Sequence, residues 1–193
     1  MKYSYQTAPI PQEQRKSLNE KVLYLIDNDG LAAKGITAED VFNAYTGDGG
    51  LHGLNREDYD NYHEYSEAKK EIENGQFFTP PALCEFVVSC LKISSHSLVA
   101  DLTCGMGNFF NFLPTEANVY GCEIDTKAYK VAHFLYPDAN IQCMDVRTYQ
   151  PDVRFDYVLG NPPFHLKWWL KGGVEVSSQM YYCKKATELL KPL

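Results

Sequence analysis

Four short stretches of this 193-residue chain carry side chains that could do chemistry together. The first is Asp101-Leu-Thr103-Cys104-Gly105-Met-Gly107-Asn108-Phe109, a glycine turn between a β-rich run and a helical pattern. Small residues at such a turn let a ligand approach the backbone, and a following helix start offers free N–H groups. The second is Glu123-Ile124-Asp125, at the tip of the next β-rich run; a carboxylate there can accept both hydroxyls of a ribose. The third is Asp145-Val146, past a third run, where an Asp can accept from an exocyclic amine. The fourth is Asn161-Pro162-Pro163-Phe164, past a fourth.

The first and fourth stretches discriminate. A dinucleotide fingerprint needs a third glycine for helix–strand packing, and here that position is Phe110. A pyrophosphate would also be repelled by Asp101, whereas an ammonium group would be attracted. The turn therefore favours S-adenosylmethionine (SAM), with its amino group and sulfonium, over a nicotinamide dinucleotide. Glu123 suits either, and a glycine turn with no ligand stays open. In the fourth stretch, two prolines remove N–H donors and stiffen the chain. The Asn161 carboxamide oxygen and the Pro162 carbonyl can then present two acceptors to the two hydrogens of an NH2 group. Phe164 can stack on a flat ring drawn out of a nucleic acid stack.

The elements that must position these residues follow from hydrophobic pattern and turn chemistry. Strands are expected at Ser97–Asp101, Asn118–Glu123, Ile141–Met144 and Tyr157–Leu159. Helices are expected from Asn108, over Thr126–Tyr136 and over Ser178–Lys191. The alternation implies βαβ units and a parallel sheet. Ahead of them Thr79 reads as an N-cap with Pro80 at the first helical position; Leu83, Phe86, Val87, Cys90 and Leu91 read as that helix's buried face. Residues 1–75 read as a helical region: a stripe of Leu18, Val22, Leu25 and Ile26 stopped by Gly30; a Thr37/Asp40 capping box before Val41, Phe42 and Tyr45; and a third helix capped by Asn55 and ended by Gly75. Tyr59, Tyr62 and Tyr65 with Lys69 and Lys70 read as part of an amphipathic cap on the sheet.

Taken in order, QFFTP, DLTCGMGN, CEID, MDV and NPPF resemble the gamma-order N6-adenine DNA methyltransferases, a group of class I SAM-dependent enzymes. The resemblance spans residues 76–165. It implies an α/β, Rossmann-like class I methyltransferase sheet with an N-terminal helical region (1–75) and a partial catalytic domain (76–193). It implies that Phe78, Thr79, Pro80, Asp101, Thr103, Cys104, Gly105, Gly107, Asn108 and Phe109 surround the methionine end of SAM. Glu123 would take the ribose, Ile124 would lie on the adenine, and Asp145, with Val146 beside it, would meet the adenine amine. Asn161, Pro162, Pro163 and Phe164 would hold the target base. The implied reaction is direct methyl transfer to adenine N6 in DNA, without metal or covalent intermediate, in a restriction–modification context. RNA or protein-glutamine methylation is the nearest enzymatic alternative, but FTP ahead of the glycine turn favours DNA, and glutamine enzymes prefer Tyr where Phe164 stands. A non-catalytic SAM-binding or partner-binding fragment is the other.

The complete fold of that class has more strands than the four found here, so the sequence reads as a truncated portion with an apolar sheet edge that would encourage self-association. The net charge of −7, from 18 basic and 25 acidic residues, argues against a general electrostatic grip on nucleic acid. The expected partners are thus DNA, held through a region outside this sequence, and the remainder of the polypeptide or a specificity subunit. Six cysteines without a CxxC pair read as reduced buried thiols of a cytoplasmic protein. The scattered histidines show no ligand spacing; His165 reads as a solvated loop residue, and Trp168 and Trp169 as burying against a helix. The N-terminus lacks an apolar signal region, and no apolar run approaches the roughly 20 residues that span a bilayer.

Overall fold

A computed structural model describes residues 1–5, 21–28, 30–31, 34–44, 56–73, 77–164 and 166–192. Four short strands form one parallel sheet: β1 (Leu98–Asp101), β2 (Asn118–Glu123), β3 (Asn140–Cys143) and β4 (Tyr157–Leu159), in the order β3-β2-β1-β4. All pairings are parallel, with Asp101 level with Gly121 on one side and Leu159 on the other. The carboxyl ends of the strands therefore lie along one edge, and all four chemical stretches leave from it. Ligands of open α/β sheets bind outside this edge.

The period-2 alternation of the strands feeds two cores. On one face Val99, Val119, Tyr157 and Leu159 pack with α1 (Ala38–Ala44), α3 (Pro81–Ser89) and α4 (Thr126–Leu135). On the other, Ala100, Tyr120, Cys122 and Val158 pack with Tyr182, Ala186 and Leu189 of α5 (Ser178–Leu189). The helices start where local chemistry allows. Asp125 accepts from the N–H groups of Lys127 (2.8 Å) and Ala128 (2.9 Å) at the head of α4. Ser177 accepts from Met180 N–H at the head of α5, and Thr37 and Asp40 form the reciprocal box expected ahead of α1. Residues 21–27 are helical with Val22 and Leu25 buried, and Gly30 N–H closes on the Leu25 carbonyl.

Several expectations are corrected. Pro80, not Thr79, is the cap of α3, with Pro81 as its first residue; Thr79 is buried and its carbonyl is taken by the Asn108 carboxamide. The buried face of α3 is Pro81, Cys84 and Val88, while Leu83 and Phe86 are 49% and 64% exposed. The next helix upstream, α2 (Tyr62–Glu73), is capped by Asn61, whose side chain accepts from Glu64 N–H at 3.0 Å. Only three cysteines (84, 104, 122) are buried; Cys90, Cys143 and Cys183 are exposed thiols. An antiparallel hairpin, β5 (Lys167–Trp169) with β6 (Glu175–Ser177), follows the Asn161–Phe164 segment where no element was expected. Trp168 meets the Tyr181 ring edge-on there, but Trp169 is 60% exposed rather than buried. The last helix ends at Leu189, and Leu190 makes a single parallel bridge to Phe155, so the outer side of β4 is partly covered. The expectations at Leu18, Tyr45, Asn55, Gly75 and His165 lie outside the described residues. Among the described residues no helix is long and apolar enough to cross a membrane.

Candidate active site

One cleft opens between the ends of β1 and β4. Its lining joins two of the four stretches to the segment ahead of α3: Asp101, Thr103, Cys104, Gly105, Asn108 and Phe109 around the glycine turn; Asn161 beyond β4; and Phe77, Phe78 and Thr79. Asp101 forms its floor at 1% exposure, with Oδ1 accepting from Thr103 N–H at 3.0 Å. Burial pushes its carboxyl up to about 7, opposed by the Thr103 hydrogen bond and reinforced by the charge of Glu123.

The turn needs its glycines. Gly105 and Gly107 sit at φ of 55° and 86°, a region that side chains with a Cβ avoid. A Cβ at Gly107 would also lie 2.7 Å from the Tyr136 ring. Glu123, itself buried, holds this turn: Oε2 accepts from Gly105 N–H and Oε1 from Asp125 N–H, both at 2.7 Å. Burial raises its pKa, with those backbone donors pulling the other way. Asn108 donates to the Thr79 carbonyl at 2.7 Å, and its Oδ1 is buried with no hydrogen-bond partner among the described residues. A buried acceptor left open beside a buried carboxyl fits a ligand that brings N–H donors and positive charge.

On the opposite wall, Asn161 donates through Nδ2 to the Phe77 carbonyl at 3.3 Å, which leaves Oδ1 as the open end of the carboxamide. Thr103 Oγ1 donates to the Asn161 carbonyl at 3.3 Å and stitches the two walls together.

Not every predicted residue reaches the cleft. Ile124 is exposed beside Glu123, Val146 is buried in the second core, and Phe164 is 42% exposed beyond Asn161. Asp145 is engaged by Arg147, which clasps both carboxylate oxygens and holds its pKa below the usual range. The Arg147 guanidinium in turn lies over Trp168, 5.4 Å from the ring centroid, a cation–π contact. Phe77, whose carbonyl accepts from Asn161, and Ser178 and Tyr182, whose hydroxyls donate to the Pro163 and Leu159 carbonyls, make contacts that sequence spacing does not foretell. Arg147, two residues from Asp145, is the one that it could have suggested.

The sheet order and the cleft at its carboxyl edge define the class I methyltransferase architecture. The fold superimposes, at a TM-score of 0.52 and 11% identity over 92% of this chain and 71% of the other, on a Listeria monocytogenes protein provisionally assigned to the class I SAM-dependent methyltransferases. Residues 59–188 match the family model described as N-6 DNA Methylase, and the chain belongs to that family. It is 27% identical over 106 residues to the type II methyltransferase M.CvrRI of Paramecium bursaria Chlorella virus XZ-6E, covering 53% of this chain and 28% of that protein. It is 29% identical over 113 residues to the type I restriction enzyme MjaIX methylase subunit of Methanocaldococcus jannaschii, covering 49% of this chain and 20% of the relative. The chain thus spans between a fifth and a third of the length of these two relatives.

Proposed function

We propose that this chain carries the SAM site and the target-amine site of an adenine-N6 DNA methyltransferase. The observation that carries the reading is the meeting of Asn161 with buried Asp101 and the glycine turn in one cleft. Bound SAM supplies a methyl group activated on a sulfonium. The Asp101 carboxylate and the open Asn108 Oδ1 receive the ammonium of the cofactor, and Gly105 and Gly107 keep side chains out of its way. Each Glu123 oxygen accepts one backbone bond already and retains a further lone pair for a ribose hydroxyl. Ile124 offers an exposed apolar surface for the adenine. Asp145 contributes an acceptor that it shares with Arg147.

Asn161 Oδ1 and the Pro162 carbonyl accept the two hydrogens of the target amine, so its lone pair is aimed at the cofactor side. Phe164 stacks on the target base. The work is positioning in a preorganised cleft. DNA is the substrate and a specificity subunit a fitting partner, in keeping with the type I methylase subunit among the relatives.

The test is transfer of labelled methyl from SAM to duplex DNA, beside RNA and glutamine-peptide acceptors, with SAM affinity measured by calorimetry. Label in DNA adenine supports the reading; label confined to RNA or peptide, or no SAM binding, overturns it.

A further inference from the structure

Two side chains of α5 reach the cleft from behind. The buried Tyr182 hydroxyl donates to the carbonyl of Leu159, the last residue of β4, at 2.6 Å. The N–H of Leu102, one residue past β1, approaches the same hydroxyl at 3.4 Å. A single hydroxyl thus spans the end of β1, where Asp101 stands, and the end of β4, ahead of Asn161. The fit is close: a Cβ at Gly160 would lie 2.3 Å from Tyr182 Oη and 2.4 Å from Asp101 Oδ1. The chain passes between hydroxyl and carboxyl only because residue 160 has no side chain.

Ser178 lies one helical turn before Tyr182 and is fully buried. Its hydroxyl donates to the Pro163 carbonyl at 2.5 Å, and its N–H donates to the Leu166 carbonyl at 3.0 Å. Helix capping does not require the Ser178 side chain, since Ser177 is the cap. Pro162 and Pro163 have no N–H, so the backbone of these two residues can be tied down through its carbonyls only. Ser178 supplies such a tie within the segment, and Tyr182 supplies one just before it.

We propose that Tyr182 and Ser178 are positioning residues for methyl transfer: through the carbonyls of Leu159 and Pro163 their hydroxyls set where Asn161 stands relative to the glycine turn. The inference rests on the reading of the cleft given above. Neither side chain touches a reacting atom. Their loss should therefore misplace the amine-holding wall while Gly105, which Glu123 secures separately, stays in place.

The experiment compares the full chain with Tyr182→Phe, which keeps the ring, and Ser178→Ala. Each is assayed well below its unfolding midpoint for methyl transfer to unmethylated genomic DNA, for SAM affinity by calorimetry, and for amide hydrogen exchange. Each variant should lower kcat by about 10- to 100-fold, the scale of a sub-ångström to ångström misplacement, with SAM affinity changed by less than about 3-fold in Ser178→Ala, whose hydroxyl ties only the amine-holding segment. Exchange at Gly160, Asn161 and Phe164 should quicken by about 10-fold or more while Gly105 and the strands are unaffected, the mark of local rather than global opening. Unchanged kcat in both variants with an active wild type overturns this inference alone. So does a uniform rise in exchange with SAM affinity lost in step, which marks a general stability effect. A wild-type chain that binds SAM yet methylates no DNA overturns the reading of the cleft, and the positioning role falls with it.

Discussion

Replacing Asp101 by Asn keeps the shape of the cleft floor and removes its charge. The Thr103 N–H retains an acceptor, since the Asn carboxamide oxygen can take the place of Oδ1. The carboxyl of Asp101 is raised from 3.8 to about 7; at 1.36 kcal/mol per unit, ionising it in place costs about 4 kcal/mol. A raised carboxyl pKa means that the folded chain holds the proton more tightly than the unfolded chain. Stability is then fully present below about 4, drains as pH rises towards about 7, and levels off above. Asp101→Asn lacks this drain. The variant should match the wild type near pH 4 and exceed it by up to about 4 kcal/mol at pH 8 in denaturant titrations. The same substitution should weaken SAM binding by about 10- to 100-fold, because a charge-assisted hydrogen bond contributes about 1.5–3 kcal/mol. A variant that shows no pH-dependent gain would refute the burial argument. One that binds SAM as tightly as the wild type would refute the assignment of Asp101 to the cofactor's cation.

Three further outcomes are expected. Asn161→Ala should abolish methyl transfer and change SAM affinity by less than about 3-fold; a large loss of SAM binding would place the carboxamide on the cofactor instead. Gly107→Ala combines a positive φ with a Cβ driven into the Tyr136 ring, and should cost about 2 kcal/mol or more in unfolding free energy. Parity with the wild type would show that the turn relaxes freely. Asn111→Ala deletes a buried carboxamide that accepts from Lys2 and Tyr3 N–H and donates to the Tyr3 carbonyl. It should cost about 2–3 kcal/mol and free residues 1–5 to proteolysis; unchanged cleavage there would show that other contacts, such as Tyr3 on Phe42, suffice to hold them.

Much of the parallel sheet was legible in the sequence because β1, β2 and β4 are short, mainly apolar runs that end in an acid or just before a glycine. The motifs sit at those ends, so their convergence followed from the topology alone. The face of α3 was not legible for a physical reason: Pro81, Ala82, Leu83, Cys84, Phe86, Val87 and Val88 make it apolar nearly all round, so periodicity cannot choose a side. Tertiary contacts chose Pro81, Cys84 and Val88. The hairpin β5–β6 escaped because its strands are three residues each, although Gly172-Gly173 between Trp-rich and Val-containing runs is a hairpin signal. Within the site, Asp101, the glycine turn and Asn161 were readable as residue types at strand ends. The ties made by Ser178 and Tyr182 were not, since each joins a helix to a backbone carbonyl remote in sequence.

Leu190 has a consequence for assembly. Phe155 N–H is taken by the Leu189 carbonyl and the Phe155 carbonyl by Lys191 N–H, each at 2.9 Å. A neighbouring molecule seeking to add a strand there by main-chain pairing would have to evict this segment first. The flank at β3, where Asn140, Gln142 and Cys143 stand exposed, has no such incumbent among the described residues, so its main-chain edge stays open to pairing with another strand.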